Sequence, residues 1–232
     1  VNKNKMPKPI TCNYCDFKEI CNLLDIDTTP LINLHQVSSF VVTVKKGQSL
    51  YKTNTPLKTL YVIRSGSLKL CHPSDHKIIN FYFQGQLIGF EGIENNHHTL
   101  DAIAIEDSTL CAFDYNDLLT VFSRSIQANK DFIQILSKRF NQQTIQLDYY
   151  KPAHTRFAQF LLRLSTQQKH HGFSAYHFIF PMKRLDIANY LDLSVETISR
   201  LLHDFTNQEL IHVDNKEITI IDLEKLKGIA SN

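Results

Sequence analysis

Glycine is scarce in this chain: seven among 232 residues, at positions 47, 66, 85, 89, 92, 172 and 228. No three of them make G-x-G-x-x-G and none opens G-x-x-x-x-G-K-[ST], so the standard glycine cradles for dinucleotides and nucleoside triphosphates are absent. H-E-x-x-H and G-x-S-x-G are missing too, which removes two common hydrolase signatures. No stretch approaches the ~18 consecutive apolar residues of a membrane span. The first twenty residues carry lysines and prolines where a secretory signal would have an apolar core. The expectation is a cytoplasmic protein with no membrane partner. A dominant charge is lacking as well. The formal net charge is +2, and from Lys151 onward ten Lys/Arg face nine Asp/Glu. Charge alone therefore does not select a partner.

Core material is present in ordinary amount, with 43% hydrophobic and 21% charged residues, and this excludes disorder for the bulk of the chain. Four segments follow from the pattern: 1–22, a short cysteine-bearing head; 23–115, a β-rich domain preceded by a short helix within 23–38; 116–150, one long helix; and 151–232, a second domain. Phe40–Val44, Leu60–Arg64, Ser67–Cys71, Ile78–Phe83 and Ala102–Phe113 are β-branched and aromatic runs separated by turn residues. Their spacing predicts an antiparallel sandwich or barrel. Beyond Asp114 the period changes. Phe122, Ile126, Ile133, Leu136, Phe140 and Leu147 alternate steps of four and three, with Asn129 and Gln143 in the gaps. That stripe fits a coiled-coil seam against a second copy of the chain; the plainer reading is a core helix lying on its own domain. Pro152 is expected to stop the helix.

Residues 182–207 carry the sharpest local signal. Leu185, Ile187, Ala188 and Leu191 give one short helix an apolar face. Ser194 is a good N-cap for a second, whose inner face is Ile198, Leu201, Leu202 and Phe205. Asp192 stands where the tight turn usually takes glycine, and Asp reaches positive φ more readily than most residues. Leu210–Val213 and Glu217–Ile221 flank Asp214-Asn-Lys216 and predict a hairpin wing. This is a winged helix-turn-helix. Glu196, Ser199 and Arg200 fall on the outward face near the start of the second helix, where side chains reach base edges in the major groove of double-stranded DNA. Arg200 can fork onto guanine, Glu196 can accept from a cytosine amine, and Ser199 can serve either base type. The plainer alternative is an exposed Glu196–Arg200 ion pair four residues apart.

Cys12, Cys15 and Cys21 form C-x2-C-x5-C, and Cys111 lies at the end of a strand some ninety residues on. Without a secretory signal the thiols are expected to be reduced, and such clusters bind zinc or an iron–sulfur centre. Spacing leaves both open. Lys18 could offset thiolate charge, and Cys71 reads as a small hydrophobe in a strand.

Taken together, the residues resemble the FNR-type (fumarate-nitrate reduction regulator) branch of the cyclic-AMP receptor/FNR superfamily of bacterial transcription regulators. The resemblance runs from Cys12 to about Ile221. It rests on the cysteine head, Leu60-Tyr-Val-Ile-Arg-Ser-Gly-Ser-Leu-Lys69, Gly85-Gln-Leu-Ile-Gly-Phe90 with His97-His98, Cys111, and Asn189-Tyr-Leu-Asp-Leu-Ser-Val-Glu-Thr-Ile-Ser-Arg-Leu-Leu202. It implies an α+β protein that is not an enzyme. An N-terminal double-stranded β-helix (a jelly roll like cyclic-nucleotide-binding domains) would be followed by a long dimerisation helix and a C-terminal winged helix-turn-helix. By the same resemblance, Cys12, Cys15, Cys21 and Cys111 would hold an oxygen-labile 4Fe–4S cluster that controls homodimerisation. Glu196, Ser199 and Arg200 would read a palindrome of TTGAT-like half-sites, and RNA polymerase would be a further partner. The pattern departs from cyclic-nucleotide binders, since Gly85-Gln-Leu87 replaces Gly-Glu-Leu and Thr99–Ala102 supplies Asp101 but no arginine. No cyclic nucleotide is expected. Haem ligation by His97 or His98 is disfavoured relative to a plain loop role. An alternative keeps the DNA-binding dimer but senses through zinc or a thiol–disulfide switch. An iron–sulfur electron carrier fits less well, because no cofactor cradle or acid/base motif accompanies the cysteines.

Overall fold

A computed structural model describes residues 14–23, 39–144 and 150–231. The chain divides into two compact units, 1–143 and 144–232.

Among the described residues of the first unit, eight short strands follow one another: β1 Ser39–Val44, β2 Ser49–Tyr51, β3 Thr59–Ser65, β4 Leu68–Cys71, β5 Ile78–Tyr82, β6 Leu87–Ile88, β7 Asp101–Ala104 and β8 Ser108–Asp114. They build two four-stranded sheets, ordered β1-β8-β3-β6 and β2-β7-β4-β5, with every pairing antiparallel. Alternation along each strand sorts side chains into two layers. Ile63, Leu68, Leu70, Tyr82, Ile88, Ala102 and Leu110 fill one apolar cluster, fed by both sheets. Leu60, Val62, Leu87 and Phe113 face the other way, into a second cluster. Helices cover that second face: α1 Lys18–Leu23, α2 Tyr115–Arg124 and α3 Ile126–Thr144.

Two expected elements divide. The run Ala102–Phe113 is two strands, because Ile105–Asp107 turns between β7 and β8. The turn is pinned where the Asp107 carboxylate meets Lys45 Nζ at 2.8 Å and Ser108 Oγ accepts from Ser67 N at 3.1 Å. Gly66 permits this approach: its φ is +86°, and a Cβ there would lie 2.3 Å from Ser108 Oγ. The single long helix also breaks. Asp114 caps α2 by accepting from the amides of Asn116 and Asp117, and Ser125 ends it in an extended conformation (φ −126°, ψ 105°). The Ser125 hydroxyl then accepts from Ala128 N at 3.2 Å, capping α3. The helix expected within 23–38 lies outside the described residues, apart from Leu23 closing α1.

The second unit holds α4 Ala153–His170, β9 His177–Ile179, α5 Arg184–Leu191, α6 Val195–Asn207, β10 Ile211–Asp214, β11 Glu217–Ile220 and α7 Leu223–Ser231. Pro152 is the N-cap of α4, in keeping with a residue that has no amide to donate at a helix start. The expected hairpin gains a third strand, β9, giving the order β10-β11-β9. The fold class is thus α+β, a jelly-roll domain followed by helices and a winged helix-turn-helix. No helix among the described residues is long and apolar enough to cross a membrane.

Candidate functional site

Helices α5 and α6 meet through a turn whose residue Asp192 is left-handed, at φ 56° and ψ 49°. The backbone closes it as Leu193 N donates to Ala188 O at 2.9 Å, and Arg156 Nη1 from α4 donates to Leu191 O at 2.7 Å. A guanidinium therefore satisfies a carbonyl at the negative end of α5. The Ser194 hydroxyl accepts from Thr197 N at 3.1 Å and caps α6. Ile198, Leu201, Leu202 and Phe205 are buried along one side of α6. Opposite them, Glu196 and Arg200 are exposed and Ser199 is half-buried, so the i, i+3, i+4 spacing leaves all three on one outward face. The Glu196 carboxylate accepts from its own amide and from Ser194, and this holds its pKa below the ordinary value. Arg184 Nη1 donates to Ser199 Oγ at 3.2 Å, a support that sequence reading missed. Leu185 does not join the apolar face: it is 64% exposed, and Tyr190 is buried on α5 instead.

Cys12 lies outside the described residues. Of the other three expected ligands, Cys15 and Cys21 come from the head and Cys111 from β8, and all three are half-buried against one apolar cluster. Period-two alternation sets Cys111 on the same face as Phe113. Phe17, Ile20 and Cys21 share one side of the head, with Phe17 and Ile20 fully buried. The head thus borrows the core of the β-roll. Burial of each such side chain stabilises docking by roughly 1.5–3 kcal/mol. The ring of Phe17 lies 5.1 Å from that of Phe113 and 6.3 Å from that of Phe132 on α3. Phe17 N donates to Cys15 Sγ at 3.4 Å, the kind of N–H···S contact that tunes a sulfur-ligated centre. By donor chemistry, soft thiols in apolar surroundings suit an iron–sulfur cluster or zinc rather than magnesium or calcium, and the three described sulfur atoms do not all lie within 4.8 Å of one another. Lys18 Nζ lies 3.9 Å from Glu19. Cys71 is buried in β4, as expected of a small hydrophobe.

The apolar stripe is reassigned in part. Phe122 is 7% exposed and stacked on Phe132 at 4.6 Å, so it belongs to the core of its own unit. Ile126, Ile133 and Phe140 are 90%, 58% and 67% exposed. They are spaced by seven residues, and Leu136 is half-buried beside them. Leu147 lies outside the described residues.

Inside the roll, Gln86 is buried and its Oε1 accepts from Phe83 N at 3.0 Å, while Asp101 Oδ1 accepts from Thr53 N at 2.8 Å. His97 is exposed, but His98 is no plain loop residue: it is 3% exposed, stacked on Tyr51 at 3.7 Å, with Nδ1 2.9 Å from Glu91 Oε1. Burial and the nearby Glu91 charge push the Tyr51 phenol well above its usual pKa.

A family model described as a Crp-like helix-turn-helix domain matches residues 155–229, and one described as a cyclic nucleotide-binding domain matches 41–125. The fumarate and nitrate reduction regulatory protein of Vibrio cholerae serotype O1 is 34% identical over 226 residues, covering 95% of this chain and 90% of that protein. Electron transport regulator A of Shewanella oneidensis is 34% identical over 228 residues, covering 96% and 91%. The solved structure of FixK2 from Bradyrhizobium japonicum shares the fold, with a TM-score of 0.74 at 23% identity over 83% of this chain and 97% of that one. With both domain models in this order and relatives matched along nearly their whole length, the chain belongs to the cyclic-AMP receptor/FNR family of transcription regulators, in its fumarate and nitrate reduction branch.

Proposed function

We propose that this chain is an oxygen-responsive transcription regulator that binds a palindromic DNA site as a homodimer. The observation that carries the sensing half is that Cys111 of β8 packs against the same apolar cluster as Cys15 and Cys21 of the head. Cys12, Cys15, Cys21 and Cys111 would hold a 4Fe–4S cluster, which when bound supplies an oxygen-labile tie between the head and β8. Phe17 and Ile20 seat the head and keep bulk water from its inner face.

The reading half rests on α6. Arg200 projects toward guanine O6 and N7, Glu196 toward a cytosine amine, and Ser199, steadied by Arg184, toward either base type. TTGAT-like half-sites suit this set. The row Ile126, Ile133 and Phe140 offers an exposed apolar seam for a second copy, since rows of this kind seldom stay in water. Joining two reading heads raises the effective concentration of the second half-site contact, so DNA occupancy follows the monomer–dimer equilibrium. RNA polymerase is the protein partner this reading calls for, in the cytoplasm. Gln86 turned inward and Asp101 engaged by the backbone support a roll that takes no cyclic nucleotide.

Anaerobic purification followed by iron, zinc and acid-labile sulfide analysis tests the proposal. Protein with broad visible absorbance that air bleaches is expected. Colourless protein with stoichiometric zinc would refute the iron–sulfur reading and leave a zinc- or thiol-based sensor.

A further inference from the structure

We infer that the Asp16–Arg139 ion pair is the link through which the state of the cysteine head reaches α3; the inference rests on the functional reading above. Asp16 sits between Cys15 and Phe17. Its amide donates to Gly85 O at 2.9 Å, and one carboxylate oxygen accepts from Leu87 N at 3.2 Å. The same oxygen pairs with Arg139 Nη2 on α3, and both side chains are buried, at 3% and 4% exposure. One residue thus holds the head, the β5–β6 turn and α3 together. A buried pair of this kind cannot part cheaply, because separation leaves each charge uncompensated.

A further contact between head and helix is Phe17 against Phe132. Phe132 and Arg139 are seven residues apart, so both face the head, about two turns from each other. One anchor on a rod permits rolling, whereas two fix its rotation. The outward residues Ile133 and Phe140 each follow one of these anchors directly, turned about 100° around the axis. A head that shifts Asp16 and Phe17 therefore shifts the outward row. Neither Asp16 nor Arg139 is needed to ligate metal in this account; they act as positioning residues.

The test uses the full-length double variant Asp16→Asn/Arg139→Met, which removes both charges at similar volume and keeps an acceptor for Leu87 N. Iron content, sedimentation equilibrium and hydrogen exchange in 126–144 are compared for anaerobically iron-loaded and chelator-stripped protein. In wild type, stripping should change the dimer dissociation constant by about tenfold or more and speed exchange in α3. The double variant should load the same iron, yet change its dissociation constant by less than about threefold, with α3 exchange unresponsive. Arg139→Lys, which keeps a cation opposite Asp16, should restore part of the response. An iron-loaded double variant whose association and α3 exchange respond as in wild type overturns the inference alone. A double variant that no longer loads iron, or does not fold, also overturns it, because the pair is then part of the scaffold rather than the link. Wild-type protein that takes up no metal sinks the functional reading, and the inference with it.

Discussion

Phe17 meets Phe132 nearly edge to face, with ring centroids 6.3 Å apart and planes at 87°. The residue two places after Cys15 therefore touches the helix that carries Ile133 and Phe140. Truncating it to alanine should remove this contact, the contact to Phe113 and a fully buried ring, at a cost of about 3 kcal/mol or more. Chemical denaturation measures the loss, and hydrogen exchange should place it in residues 14–23 and α3.

Arg200→Ala should weaken binding to a TTGAT-containing palindrome by about 1–3 kcal/mol, with discrimination at the guanine relaxed. Fluorescence anisotropy at fixed salt reads this directly. A phosphate-only role would weaken all sequences alike and lower the salt slope.

Ser194→Ala removes the acceptor for Thr197 N at the start of α6. The expected loss is about 1 kcal/mol of unfolding free energy, measured on the full chain.

The same substitution moves a titration. In the folded protein the Glu196 carboxyl lies below its ordinary pKa, chiefly through its own amide and then Ser194. A depressed acid contributes its ionised form fully above the unfolded value and loses it as pH falls through the lower folded value. Glu196-dependent selection of a C·G pair should therefore persist to lower pH in wild type than in Ser194→Ala. Binding titrations from neutral pH down to mild acid, on matched and mismatched sites, give the comparison.

Ile133→Glu and Phe140→Glu place charge on the outward row without disturbing buried neighbours. Each should shift sedimentation toward monomer while leaving thermal unfolding of the monomer within about 0.5 kcal/mol of wild type. Unchanged association would remove α3 as the dimer surface.

Much of this is legible in the sequence. Ser194 followed by Ile198, Leu201, Leu202 and Phe205 is a cap with a helical face, and both act locally, so α6 formed where expected. The strands of the roll are readable as β-branched and aromatic runs between turn residues, but β2 and β6, with three and two residues, are too short to form such a run. The break at Ser125 was hidden because Phe122 and Ile126 stand four apart, as they would on one helix; only the packing of Phe122 on Phe132 separates them. Leu185 invites a core assignment by being apolar, but it stands two residues before Ile187, about 200° around the helix, and so faces away from the buried side. Asp16 and Arg139 are 123 residues apart, and no local rule joins them. The anchoring role of Phe17 and Ile20 had a signal, two large apolar residues three apart inside a cysteine loop, whose destination only tertiary structure supplies.

Ser125 has a consequence for how this protein can change over generations. It resets the rotation between two helices with one extended residue, so Phe122 turns into the interior while Ile126, four places on, stands outside. The Phe122–Phe132 stack ties the two helices together, yet Ile126, Ile133 and Phe140 can change without opening it. If the proposed dimer forms along that row, substitutions at 126, 133 and 140 would tune its strength while the interior stays as it is.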